Sequence, residues 1–348
     1  METVQPRLAF CCKFMSEDGD ADTVRRMNAT TVTMAHLARL GPIAGRDKLL
    51  AVVGHNLEAV RRQILWVAAR PPIERALRIL SDILPAYNHP LWRDVYREPD
   101  MRDLVESGLA AAGKAARKGG VRLSTHPDQF CVLGTLKEGA LANSVAELEY
   151  HADMMEMMGL AGGWHPEGAH VNVHGGAKAA GIEGFRAGFA RLSRRAKNLV
   201  TVENDEVSYG LDDLLPLADT LPIVLDLHHH WIASRGEYLE PDDPRIARVA
   251  ESWRGVRPMS HISVSREDLL VGHDTATLPN LALLVAAGIK PHHLRGHSNL
   301  MWNEGINDLV ARHLAWSDFE VEAKHKNLAT TALARFVERR SEAAEAAA

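Results

Sequence analysis

The chain has 348 residues, 46% hydrophobic and 24% charged, ample material for the core of an ordinary globular protein. A formal net charge of −5 gives no global basic signature, so any nucleic-acid contact must come from a local patch. The three cysteines, Cys11, Cys12 and Cys131, contain no CxxC pair and indicate neither a disulfide framework nor a zinc knuckle, which suits a reducing cytoplasm.

The first apolar run is RLAFCCKF (7–14), read as a strand, and LLAVVGHNLEAVRRQILWVAA (49–69) reads as a helix from its three- and four-residue apolar spacing. IERALRIL (73–80) is assigned as the second strand although its own propensity is helical. A helix over 101–119 precedes the strand VRLSTH (121–126), and a helix over 140–159 precedes AHVNVH (169–174). Both helices end in glycine, a usual stop. The remaining strands are LVTVEN (199–204), PIVLDLH (222–228), PMSHISV (258–264) and FEVEAK (319–324). Near-continuous apolar strands alternating with helices predict a parallel sheet closed into a single-domain (β/α)8 TIM barrel over residues 1–335. An Ala/Glu-rich tail over 336–348 follows it. No stretch is apolar enough to span a bilayer, and the first residues lack a signal-peptide layout. No GxGxxG follows a strand and no GxxxxGK[ST] occurs, so no nucleotide cofactor is expected.

The segment PIVLDLHHHW (222–231) ends an apolar strand in Asp226 and follows it with three histidines. Other strands share the pattern. Strand three ends in His126, strand four in His174 and strand five in Glu203; strand seven contains His261, and strand eight carries Glu322. In a barrel these positions lie at the C-terminal face, where active sites are built. One such histidine is ordinarily a rim or core residue. Six successive strands ending this way would bury ionisable groups at high cost, and a metal cluster resolves that cost. Imidazole and carboxylate donors suit Mn, Zn, Fe or Co.

The ordered pieces NATTVTMAHL (28–37), LRILSDILPAYNHP (77–90), LSTHPDQF (123–130), VHGGA (173–177), VENDE (202–206), VLDLHHH (224–230), WRG (253–255), HIS (261–263) and VEAK (321–324) resemble the UV damage endonuclease family. That family is related to metal-dependent apurinic/apyrimidinic endonucleases. The resemblance runs from about residue 7 to about 335 and implies a cytoplasmic, monomeric enzyme that nicks damaged duplex DNA on the 5′ side of the lesion. It implies two or three divalent metals, Mn foremost, held by His126, His174, Glu203, Asp226, His229, His261, Glu322 and a late histidine. His297 matches the late position best, with His273 as its competitor. Asp226 and His229 would be ligands, with His228 and His230 flanking, although strand register alone could favour His228. Glu203 would bridge two metals, which activate water to hydroxide and neutralise charge on the phosphodiester. Glu322 belongs to the same catalytic set, and Lys324 would help neutralise a phosphate. Arg78 and His89 match positions near the site.

Gln129 and Phe130 match the pair with which family members probe a lesion, and Phe10 stands where the family usually has Tyr. One departure concerns the metals. The family carries a metal-binding carbamylated lysine two residues before the strand-seven histidine, and Met259 occupies that place. Methionine supplies no oxygen, so the third metal is expected to be weakly held unless a carboxylate compensates, with Asp274 and Glu304 as conceivable replacements. Two rival functions follow: a small-molecule metalloenzyme of the sugar isomerase type, and a catalytically silent damage-binding homologue.

Overall fold

The computed structural model describes residues 5–161 and 168–347. Eight strands occur where the sequence places them: β1 Leu8–Cys11, β2 Ala76–Ile79, β3 Arg122–Thr125, β4 His170–His174, β5 Val200–Glu203, β6 Ile223–Val224, β7 Met259–Ile262 and β8 Asp318–Val321. Every pairing is parallel, in the order β6-β5-β4-β3-β2-β1-β8-β7. The remaining seam closes just past β6, where the His261 N–H donates to the Leu225 carbonyl at 2.8 Å and Asp226 bridges to His261. With helices between the strands, this is a (β/α)8 barrel.

The helix assigned to 49–69 is the second part of a longer one, Met34–Ala68. Thr33 caps it through the His36 N–H, and Gly41 (φ 79°) kinks it before Pro42. Helices Pro99–Gly119 and Glu138–Met157 follow as expected, the first ending on the left-handed Gly120. β2 overrides its helical propensity because Ala76 and Arg78 turn to the barrel axis while Leu77 and Ile79 are buried outward. The helix Lys326–Ala347 passes through residues 335 and 336 without a break.

Alternate strand residues face the barrel axis, and these are not the apolar residues that near-continuous hydrophobic strands suggested. Outward positions are apolar and buried: Leu8, Phe10, Leu123, Val171, Val202, Phe319 and Val321. Inward positions carry Arg122, Ser124, His170, Asn172, Thr201, Asp318 and Glu320, also buried. This alternation corrects one assignment. Phe10 is 2% exposed and packs edge-on against Trp66 of the helix Met34–Ala68; it points away from the barrel mouth and is core, not a DNA probe.

At the N-terminal end of the barrel, Asp318 binds Arg122 at 2.9 Å and Arg257 at 2.6 Å, and accepts the Arg7 backbone N–H at 2.9 Å. Arg122 also lies 5.3 Å over the Trp253 ring. Removing the single carboxylate would leave buried guanidinium charge uncompensated. Asp318→Ala should therefore lower unfolding stability by about 3–5 kcal/mol, read from the midpoint of urea unfolding.

Candidate metal centre

The ionisable strand ends converge on Glu203, whose side chain is 1% exposed. The His126 Nε2 lies 3.1 Å from its Oε2; the His261 Nδ1 lies 3.1 Å and the His229 Nδ1 3.4 Å from its Oε1. Asn172 donates its amide to Oε2 as well, and Thr201 fixes that amide by donating to Asn172 Oδ1 at 2.9 Å. Burial by itself would raise the Glu203 carboxyl, but His261 and His174, with His126 and His229, hold it well below the usual carboxylate range.

Three overlapping sets place ligand atoms within 4.8 Å of one another: His126, His174 and Glu203; Glu203, Asp226 and His229; Asp226, His261 and Glu322. Glu203 belongs to two sets and Asp226 to two, so the three form a chain of neighbouring pockets. Among the described residues, His174 Nδ1, Asp226 Oδ2 and both ring nitrogens of His261 are buried without an aligned hydrogen-bond partner. Orphaned buried donors and acceptors are costly. Imidazole and carboxylate together are the donor set of Mn, Zn, Fe or Co, so these residues fit divalent metals.

Local structure aims the donors. Asp226 caps the short helix Leu227–Ala233, its Oδ1 accepting the His229 N–H at 2.7 Å, and this first turn swings His229 back toward Asp226. The His229 Nδ1 contacts the Asn204 carbonyl at 3.0 Å, and the His126 Nδ1 contacts the Pro127 carbonyl at 2.9 Å. The second contact orients the His126 ring with Nε2 toward Glu203, whereas the His229 ring keeps Nδ1 near Glu203 and Asp226 and turns Nε2 toward Glu206. Asp226 is raised by burial and by neighbouring Glu203 and Glu322, with His229 opposing, whereas burial lowers His174.

The helical turn decides between the histidines of the run. His228 is buried beside Trp231 with its Nε2 3.1 Å from the Leu294 carbonyl, and burial followed by His297 lowers it to about 3. His230 pairs with Glu237 at 3.0 Å. His297 lies at the edge of the cluster, its Nδ1 3.8 Å from Glu322, while His273 contacts the Thr277 carbonyl at 3.0 Å in its own exposed loop. Lys324 is exposed, two residues beyond Glu322. His89 accepts the Leu91 N–H at 3.2 Å within its own loop.

Two carboxylates at the centre escaped sequence reasoning. Glu206 lies 3.6 Å from the His229 Nε2 and 3.3 Å from Arg295. Glu320 is fully buried below Glu322, 3.0 Å from Arg78 and 3.1 Å from the His261 Nε2. The alternation Asp318, Glu320, Glu322 along β8 was the available signal, because a one-in-two spacing puts all three on one strand face. Asp274 and Glu304, conceivable replacements beside Met259 whose ordinary role would be surface solvation, take that surface role. Asp274 caps its own exposed turn through Ala276 N–H, and Glu304 is an exposed residue opening the helix Glu304–His313.

The fold and the strand-end constellation define a (β/α)8-barrel enzyme with its chemistry gathered at the C-terminal face. More specifically, the chain belongs to the UV-endonuclease UvdE family, whose profile matches residues 6–345. It is 28% identical over 324 residues to the UV DNA damage endonuclease of Bacillus velezensis, covering 89% of this chain and 88% of that one. To the UV-damage endonuclease of Neurospora crassa it is 34% identical over 202 residues, covering 54% of this chain but only 30% of the relative. The crystal structure of SacUVDE shares the fold with a TM-score of 0.74 at 21% identity, over 97% of this chain and 99% of that one.

The two neighbouring histidines separate by experiment. After metal loading and dialysis, His229→Ala should retain fewer divalent ions per chain than wild type by elemental analysis. His228→Ala should keep the wild-type count and show its effect as a lower melting temperature.

Proposed function

We propose that the protein is a metal-dependent endonuclease that nicks DNA beside UV-damaged or otherwise distorted bases. The observation that carries this reading is the chain of three donor sets joined through Glu203 and Asp226 at the barrel mouth of a UvdE-family chain. When bound, two or three divalent ions, with Mn foremost, would supply Lewis-acid stabilisation of the phosphodiester and a lowered pKa for an attacking water.

The chain's own residues do the positioning. His126, His174 and Glu203 would hold one ion, Glu203, Asp226 and His229 a second, and Asp226, His261 and Glu322 a third, with His297 beside Glu322. Asp226 spends Oδ1 on the His229 N–H, which leaves Oδ2 directed at the centre. Lys324, exposed two residues beyond Glu322, would help to neutralise a phosphate.

Damage recognition is assigned to Gln129 and Phe130. Gln129 lines an open cleft of about 370 Å³ together with His174, Glu206 and His229. Phe130 is 79% exposed, held outward by a tight turn in which Asp128 Oδ1 accepts its N–H at 2.9 Å. An apolar wedge beside the reacting groups can enter a base step, at least cost where stacking is already damaged. The local basic patch that an acidic chain requires lies near β1. Lys13, Arg25 and Lys48 line one open cleft and His36, Arg39 and Lys48 the next, with no carboxylate lining either.

Irradiated duplex should be nicked in preference to intact duplex, and chelation should abolish the reaction. Glu203→Gln should abolish nicking with the fold intact by circular dichroism. Phe130→Ala and Gln129→Ala should reduce the preference for damaged over intact duplex in a gel assay. Lys48→Ala should weaken binding regardless of lesion and lower the slope of log affinity against log salt by about 1. Ketose–aldose interconversion without duplex nicking would support the isomerase reading instead, and lesion binding without stoichiometric metal would support the silent homologue.

A further inference from the structure

β7 and β8 are neighbours, and their register sets His261 directly against Glu320. Both side chains point to the barrel axis and both are fully buried. The two ring nitrogens of His261 face opposite carboxylates. Nδ1 lies 3.1 Å from Glu203 and 3.5 Å from Glu322, at the centre, while Nε2 lies 3.1 Å from Glu320 on the far side; these are close ion-pair contacts, neither nitrogen making an aligned hydrogen bond. Glu320 is itself fixed, by Arg78 at 3.0 Å and by the Ser124 hydroxyl.

The strand that carries His261 offers no such anion. Met259, the preceding inward residue of β7, packs with Ala9, Ala76, Val224 and Trp253 in a small apolar layer of the barrel interior. In register Met259 stands opposite Asp318, and Glu320 lies one inward step further along β8, opposite His261. Cys11, Glu320 and Glu322 also group closely, but the Arg78 guanidinium contacts both carboxylates, so that group already holds its cation.

We propose that Glu320 is a positioning residue for the metal centre. It keeps the proton of His261 on Nε2 and so presents Nδ1 as a lone-pair donor to the ion shared with Asp226 and Glu322. From β8 it also supplies the buried negative charge that residue 259 of β7 does not. A ligating imidazole is commonly held this way, its second nitrogen donating to a carboxylate, and loss of the carboxylate typically costs about 10–100-fold in metal affinity. The proposal rests on reading the cluster as a metal centre, and the experiment separates the two.

Apo protein is titrated with Zn2+ and with Mn2+ by calorimetry, for wild type, Glu320→Gln and Glu203→Gln. Glu320→Gln keeps the side-chain shape and should weaken one class of site about 10–100-fold while the remaining sites keep their affinity; Glu203→Gln should disturb two sites. In parallel, nitrogen-15 spectra of Zn2+-loaded wild type should show His261 protonated at Nε2 and ligated through Nδ1. That second measurement needs no variant to fold. Unchanged metal affinity in a folded Glu320→Gln protein, or His261 ligated through Nε2, would overturn the role of Glu320 and leave the metal centre standing. Failure of wild type to bind either ion would overturn the metal-centre reading, and this proposal with it.

Discussion

A carboxylate buried to 1% exposure can stay ionised only if positive charge surrounds it, and Glu203 is that carboxylate. Three imidazoles approach it within 3.4 Å and His174 completes the ring around it. Those histidines come from β3, β4, β7 and the turn after β6. The closure of the barrel is what brings them to one point. In return, the seam between β6 and β7 is closed by the bridge between Asp226 and His261, two of the residues that meet there. The same two residues thus belong to the closing seam and to the site.

The barrel interior is a stack of charges that share partners. At the base, Asp318 pairs with both Arg122 and Arg257. Above it, Glu320 pairs with Arg78 and faces His261; above that, Glu322 shares Arg78 and faces the centre. Burial would push the carboxyls of Glu320 and Glu322 upward, but Arg78 and His261 hold both well below their usual range. The apolar material lies outside this stack, between strands and helices, with the small layer around Met259 and Trp253 as the interior exception. Stability and chemistry thus draw on the two opposite faces of the same strands.

Orientation also separates the aromatic residues. Phe10 and Phe130 both occur near strand ends and both suit an apolar wedge by type. Phe10 sits on the outward face of β1 and is consumed by packing on Trp66. Phe130 lies in a loop beyond β3, turned to solvent by the Asp128 turn and next to the cleft that Gln129 lines. Exposure beside the centre, not residue type, makes the difference.

By itself the sequence determined the eight strands and their alternation with helices, because short apolar runs and amphipathic stretches are local patterns. It also determined that strand after strand ends in His, Asp or Glu, which fixes which residues can meet once the barrel closes. Only the tertiary structure decided which of them do. His229 and not His228 reaches Asp226, because Asp226 caps a helix and the third residue of that turn folds back on it. Glu320 joins the centre through its register with His261 across the β7–β8 pairing. Phe10 leaves the centre through the parity of β1. The polar lining went unread for the same reason: a strand buried on both faces looks apolar on average, and the face each residue takes is set by its neighbours in the sheet.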